Sequence, residues 1–321
     1  MKRYPITPEE KEQRIVWASV RATLEAFRFK YKRSGKKTRS NWTLFERLLW
    51  FFQLFLKLTG AYSKGLSQAK NILVQDVKVP LKNLPENFSG FRILHLSDLH
   101  IDAIEGLEDI IIQKIKPLQY DLCVMTGDFR RDTTGGFQQI LPAMKKLVTT
   151  LHPEYGILAV LGNHDTFQMV RALEPFGIRF LVNETVSIRK ENKNLRITGV
   201  DDTYYYYTDM ALHALEKSSG NFSIALSHTS ELSDVAAENG YGLYLCGHTH
   251  GGQVCLPGGI PIISHQKGGK DRVRGLWYQN GMTGYTNPGA GVSGVPLRFN
   301  CPPEVTVLEL TSTEKSSSPS V

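Results

Sequence analysis

Five short apolar runs are spread through the middle of this chain, at 91–97, 121–126, 156–161, 222–227 and 243–246, each bounded by Gly, Asp, Asn or His. Runs of this length and bounding read as buried β-strands. Between them, 107–115, 137–148, 167–176 and 231–239 carry apolar residues at helical spacing. Alternating strands and helices predict an α/β fold with a largely parallel sheet, in which ligands gather beyond the carboxyl ends of the strands.

Each run stops at a polar block. In order they are Asp98-Leu99-His100, Gly127-Asp128, Gly162-Asn163-His164-Asp165, His228 and Gly247-His248-Thr249-His250. If the backbone stays extended, Asp98 and His100 point the same way, as do His248 and His250. The glycines supply tight turns where backbone must approach a site closely. A set of imidazoles, carboxylates and one amide suits Mn²⁺, Fe or Zn²⁺ better than Ca²⁺, which takes all-oxygen cages. Asp-x-His or Gly-Asp alone ends many unrelated strands, whereas the two four-residue blocks are far more specific. His95, His152, His213 and His265 fall outside the blocks and read as structural or surface residues.

With all five blocks in this order from about Phe91 to Leu310, the chain resembles the calcineurin-like metallophosphoesterases. The resemblance implies a four-layer β-sandwich flanked by helices, and hydrolysis of phosphoric ester or pyrophosphate bonds with two divalent metal ions. Mn²⁺ leads, with Fe, Zn²⁺ and Mg²⁺ as alternatives. It assigns Asp98, His100, Asp128 and His250 to one ion and Asp128, Asn163, His228 and His248 to the other, so that Asp128 bridges; a carboxylate can do this with one oxygen to each ion. By the same resemblance His164 contacts the substrate phosphate or protonates the leaving oxygen, and Asp165 orients it. A scaffold that had lost activity would lack ligands, and none is missing.

The C-terminal third resembles the bacterial membrane- or envelope-associated phosphodiesterase branch, on residues 251–257, Asn287-Pro288-Gly289, 297–300 and 302–305. Many members of that branch carry Arg where this chain has Pro288, which removes one phosphate contact. Arg130, Arg131 and Arg298 are the candidate substrate-binding arginines, with a solvated loop pair and a structural arginine as the competing readings.

Charge divides the chain unevenly. Residues 1–70 hold sixteen Lys and Arg against five Glu, a net of +11 out of +7 overall, which leaves the remainder at −4. Seven of those cations lie between Arg28 and Arg39, just ahead of a strongly apolar stretch. Thr7, Pro8 and Glu10 form a capping signal, after which Trp17, Val20, Leu24, Phe27 and Tyr31 make one helical stripe. A second helix begins near Asn41 or Trp42, with Phe45, Leu48, Leu49, Phe52, Phe55 and Leu56 on its apolar face. Its charge-free run from Leu48 to Leu56 is far shorter than the ~20 residues that span a bilayer. Aromatics beside cations favour an anionic membrane surface over solvated nucleic acid. A helical cap on the catalytic domain and a signal peptide are the alternatives.

The expected organisation is a basic helical segment at 1–70, a catalytic domain at 71–311 and a disordered Ser-rich tail at 312–321. Four cysteines without metal spacing, two of them in strands, favour reduced thiols and the cytoplasmic face of a membrane over export to the cell envelope. Within the resembled family, the candidate reaction is cleavage of UDP-2,3-diacylglucosamine to lipid X and UMP in lipid A synthesis. The alternative is a broad phosphodiesterase on soluble or cell-wall diesters.

Overall fold

A computed structural model of the chain describes residues 4–27, 29–31, 37–39, 42–216, 222–262 and 270–313. The side chains of the basic cluster from Arg28 to Arg39 and of Phe45, Leu48, Leu49 and Phe52, together with His265 and the tail from 314, lie outside the described residues.

The chain opens with α1 (Pro8–Phe27), the short hairpin β1 (Phe29–Tyr31) and β2 (Lys37–Arg39), then α2 (Trp42–Leu58) and α3 (Ala61–Lys70). It continues through β3 (Leu73–Leu81), β4 (Arg92–Leu96), α4 (Leu107–Ile115), β5 (Leu122–Thr126), α5 (Leu141–Val148), β6 (Ile157–Val160), α6 (Gln168–Leu173) and β7 (Ile178–Phe180). The second half comprises β8 (Glu184–Lys190), β9 (Lys193–Gly199), α7 (Asp209–Glu216), β10 (Ser223–Leu226), α8 (Ser233–Glu238) and β11 (Leu243–Cys246). A minor hairpin, β12 (Cys255–Leu256) and β13 (Ile260–Pro261), precedes β14 (Gly275–Gln279), β15 (Met282–Thr286) and β16 (Glu304–Ser312).

Two six-stranded sheets result, one ordered β3-β16-β4-β5-β6-β7 and the other β14-β15-β11-β10-β9-β8. Strands β4 to β7 are parallel, as are β9, β10, β11 and β15, while β16 meets β4 antiparallel and β8 and β14 are antiparallel edges. Side-chain alternation turns this order into layers. Ile93, Val124 and Leu158 face Ile197, Ile224 and Leu245 in the core between the sheets. Their neighbours Leu94, Met125 and Ala159 point the other way, onto Ile111, Met144 and Leu173 of the helices. On the far side Tyr244 and Cys246 meet Leu215, Val235 and Ala236. The fold is therefore a helix–sheet–sheet–helix sandwich, as the resemblance implies. All five expected strands form.

The N-terminal segment departs from the two-helix expectation, since three helices form and they do not act alike. The capping signal is reciprocal: the Thr7 amide donates to Glu10 Oε2 at 2.7 Å and the Glu10 amide to Thr7 Oγ1 at 3.2 Å. Helix α1 buries Trp17, Arg21 and Leu24, and Trp17 joins the core on the helix side of the first sheet. Val20 and Phe27 of the expected stripe stay exposed, because the buried face turns on the polar Arg21 instead. Helix α2 touches the body through Leu56, against Val295 and Leu297. Strand β16 runs through Ser312, paired with Leu81, one residue past the expected domain end.

Candidate metal centre

The five polar blocks converge beyond the carboxyl ends of β4, β5, β6, β10 and β11, but not on extended backbone. Strand β4 ends at Leu96, and Asp98, His100, Asp128, His248 and His250 all have positive φ, between 35° and 71°. The alternation expected for Asp98 and His100 is thus replaced by tight left-handed turns, each costing of order 1–3 kcal/mol. Backbone bonds hold them: Asp98 donates to the Gly127 carbonyl at 2.9 Å and His100 to that of Asp128 at 3.0 Å. The amide of His248 donates to Asp98 Oδ2 at 2.9 Å. Two glycines permit this crowding. At Gly127, φ is 87° and a Cβ would strike the backbone of Gly162; at Gly247 it would strike Ser97 Oγ and Asp98 Oδ2.

Three buried triads form, Asp98/His100/His250, His100/Asp128/His164 and Asp128/His228/His248, the candidate ligand atoms of each lying within 4.8 Å of one another. Asp128 Oδ2 stands 3.3 Å from His228 Nε2, 3.6 Å from His100 Nε2 and 3.9 Å from His164 Nε2. Its Oδ1 already accepts the His164 amide at 2.9 Å. A single oxygen, Oδ2, therefore faces both groups, where the sequence reading gave one oxygen to each ion. Asn163 Oδ1 lies 3.1 Å from His228 Nε2, and His248 Nδ1 lies 3.2 Å from the same nitrogen.

These residues fit a pair of cations. Asp98 Oδ1 is buried with no hydrogen-bond donor among the described residues. His100 Nδ1 donates to the Arg130 carbonyl at 2.8 Å and His228 Nδ1 to that of Thr126 at 2.7 Å, which turns each Nε2 inward. The Nε2 atoms of His100 and His250 sit 3.2 Å apart, an approach a shared cation would explain. Burial, then the His164 imidazole, push His100 down to about 3, so it is neutral as a ligand must be.

His228 behaves oppositely. Burial lowers its pKa, but the carboxylates of Asp128, Asp98 and Asp202 outweigh that and raise it to about 10. It is protonated at neutral pH, and cation uptake must expel that proton. Apparent affinity at this position is expected to rise about tenfold per pH unit until about 10. Calorimetry in buffers of different ionisation enthalpy counts the proton released; a pH-independent affinity would contradict this account.

Residues 91–252 match the family described as calcineurin-like phosphoesterase. The chain belongs to that family. It is 34% identical over 242 residues to YkuE, an uncharacterized metallophosphoesterase of Bacillus subtilis, covering 72% of this chain and 82% of YkuE. With the phosphodiesterase YaeI of Escherichia coli the identity is 30% over 241 residues, 70% of this chain and 84% of YaeI. The solved calcineurin-like phosphoesterase YfkN of Bacillus subtilis superposes with a TM-score of 0.38 at 14% identity, over 62% of this chain and 81% of that one. The chain is accordingly a metal-dependent phosphoester hydrolase.

Around the centre the structure redistributes several roles. The His164 ring is held by the Arg131 carbonyl through Nδ1, not by Asp165. The Asp165 carboxylate instead accepts the amides of Gly162, Asp128 and Phe129 at 2.7 to 2.9 Å, which commits it to the loop backbone. Burial and then Asp128 push it up to about 7 against those amides.

The three arginines proposed for substrate are occupied by backbone. Arg130 is buried and donates to the carbonyls of His164, Thr133, Gly135 and Gly136. Arg131 donates to Gly294 at 3.0 Å. Arg298, fully buried, donates to the carbonyls of His250, Pro288, Gly289, Gly291 and Cys301. Guanidiniums spent on carbonyls brace loops, and Arg298, with Nε, Nη1 and Nη2 all engaged, has no donor to spare for a phosphate.

His95 sits behind the site, neutral because burial pushes it down to about 3. Its Nε2 donates to Thr126 Oγ1, which donates to Ser97 Oγ, which donates to Asp98 Oδ2, at 2.9, 2.7 and 2.5 Å. His152 and His213 are exposed. Tyr204, unflagged in the sequence, lies against His248 with ring centres 4.3 Å apart and planes tilted by 51°. The four cysteines are buried and free.

Proposed function

We propose that this chain hydrolyses phosphodiester or pyrophosphate bonds with two divalent cations, on substrates held at a membrane surface. The convergence of two imidazole–carboxylate groups on Asp128 Oδ2 carries the chemistry. Asp98, His100, Asp128 and His250 would hold one cation, and Asp128, Asn163, His228 and His248 the other. Cations bound there, Mn²⁺ being preferred for this mixed donor set, would supply Lewis-acid polarisation of the phosphoryl group and an acidified water. His164 keeps Nδ1 on the Arg131 carbonyl, so its Nε2 faces the centre and can hand a proton to the leaving oxygen. Similarity to the phosphodiesterase YaeI supports the diester class.

Helix α2 supports the membrane. Trp50, Phe51, Phe55 and Leu58 are each 58–79% exposed, with Leu54 beside them. No Asp or Glu occurs from Arg47 to Gln75, while Arg47, Lys57, Lys64 and Lys70 do. Such a face lies on an anionic bilayer without crossing it. Among the described residues no helix is long and apolar enough to cross. We place the protein peripherally on the cytoplasmic face, which the free thiols support. Burial of two phenylalanines contributes roughly 1.5–3 kcal/mol each. The double variant Phe51→Glu/Phe55→Glu is therefore expected to bind phosphatidylserine vesicles at least ~10²-fold more weakly while hydrolysing soluble diesters normally. Equal co-sedimentation would remove the membrane from the proposal.

A lipid-linked pyrophosphate such as UDP-2,3-diacylglucosamine combines both features and is the substrate to test first. Manganese-dependent release of UMP, faster than turnover of bis-p-nitrophenyl phosphate, supports it. Turnover of the soluble diester alone favours a broad phosphodiesterase.

A further inference from the structure

Helix α1 precedes the family-matched residues 91–252, yet its side chains reach the loop that carries Asn163 and His164. Arg21 is 1% exposed and points inward from the middle of the helix. Its Nη2 donates to the carbonyls of Asp165 at 2.9 Å and Gly162 at 3.3 Å. Its Nη1 pairs with Asp201 Oδ1, and the indole of Trp17, one turn earlier, donates to Asp201 Oδ2 at 2.7 Å. Its Nε donates to Glu25 Oε1 at 3.0 Å, and the Tyr206 ring lies 3.7 Å from the guanidinium. Glu25, one turn later, accepts the Thr166 hydroxyl at 2.6 Å and the Phe167 amide at 2.9 Å.

The 162–167 loop is thus gripped from two sides. From within, the Asp165 carboxylate accepts the amides of Gly162, Asp128 and Phe129. From outside, Arg21 and Glu25 take the loop's outward carbonyls, its hydroxyl and its next free amide. A planar guanidinium with both arms engaged fixes orientation in a way an ammonium cannot. Asp201 sits opposite the loop and is itself fixed by Asn183, whose Oδ1 accepts its amide at 3.0 Å.

We infer that Arg21, seconded by Glu25, is a positioning residue that sets the loop bearing Asn163 and His164, which makes α1 part of the active centre and not an appended membrane anchor. The inference rests on the hydrolase reading. Arg21 touches no reacting atom; it acts through the carbonyls of Gly162 and Asp165. Outer partners of this kind affect affinity or rate by about 10–100-fold when removed.

Arg21→Met leaves Asp201 buried without its cation, so the informative variant is Arg21→Met/Asp201→Asn, which removes both charges. Titration of each full-length protein with Mn²⁺ alone is read beside kcat and KM on bis-p-nitrophenyl phosphate. The double variant is expected to weaken one of two Mn²⁺ sites about 10–100-fold, leave the other unchanged, and lower kcat by a similar factor with KM within about twofold. Arg21→Lys is expected to recover folding but only part of kcat. Wild-type Mn²⁺ affinities and kcat in the double variant would overturn the positioning role. Equal weakening of both sites in proportion to a lowered melting temperature would also overturn it, since general loosening then explains the loss. A wild-type protein that takes up no Mn²⁺ and cleaves no diester would instead refute the hydrolase reading itself.

Discussion

His164→Ala is expected to bind cations as the wild type does and to lose ~10²–10⁴-fold in turnover, the usual worth of a positioned general acid. Of the imidazoles around Asp128 Oδ2 it is the most distant, at 3.9 Å, and its Nδ1 is anchored outside the centre on Arg131. Its Nε2 is therefore the ring nitrogen available to a leaving oxygen. The size of the loss should follow that oxygen's basicity. A diester with an alkoxide leaving group needs the proton and should show the full effect, whereas p-nitrophenolate leaves readily without it and should show little. Metal content by elemental analysis, with kcat on both substrates, checks this. Equal losses on the two would mean that His164 positions phosphate and donates no proton, and unchanged kinetics would exclude both roles.

Asp128→Asn should be more severe, abolishing both binding and turnover. Oδ2 is the one oxygen that faces both groups of imidazoles, and those imidazoles hold the carboxyl well below the usual carboxylate range although burial acts to raise it. An amide cannot offset the charge of two cations. A ligand that binds only the folded state at one hundred times its Kd stabilises by about 2.7 kcal/mol. Wild-type protein should accordingly melt higher in Mn²⁺, and the variant should not. A preserved Mn²⁺-dependent rise in melting temperature would show that Asp128 is not the bridge.

Much of the first sheet and its helices was legible because burial imposes simple periods. Runs such as Leu122–Thr126 are apolar on both faces, which marks a strand covered twice, and α4 coincides with its expected span 107–115. Edge strands of both sheets were not. Strand β8 alternates buried and exposed residues in a polar sequence, Glu184–Lys190, and β3 pairs with β16 across more than two hundred residues. Neither signal is local.

The ligand-type residues were legible as blocks, but the reason for their meeting was misread. Extended alternation would have aligned Asp98 with His100, and left-handed turns do so instead. Two of the three substrate arginines are engaged elsewhere, for a different reason. A guanidinium near a site attracts a phosphate reading, and only the contacts reveal that Arg130 and Arg298 are spent on carbonyls. Conversely, Arg21 lay in a helix that composition assigned to the membrane.

By itself the sequence determined the layered α/β class, the metal-type residues and the family, because each depends on residue type and short-range order. Tertiary structure alone decided which oxygen of Asp128 faces the centre, what holds His164, and that α1 belongs to the body while α2 presents apolar side chains outward. Those outcomes depend on contacts between residues far apart in the chain, such as Trp17 with Asp201, 184 positions on. Hydrogen-bond donors are finite and directional, so a side chain's role is fixed by which acceptors the fold brings within about 3 Å of it.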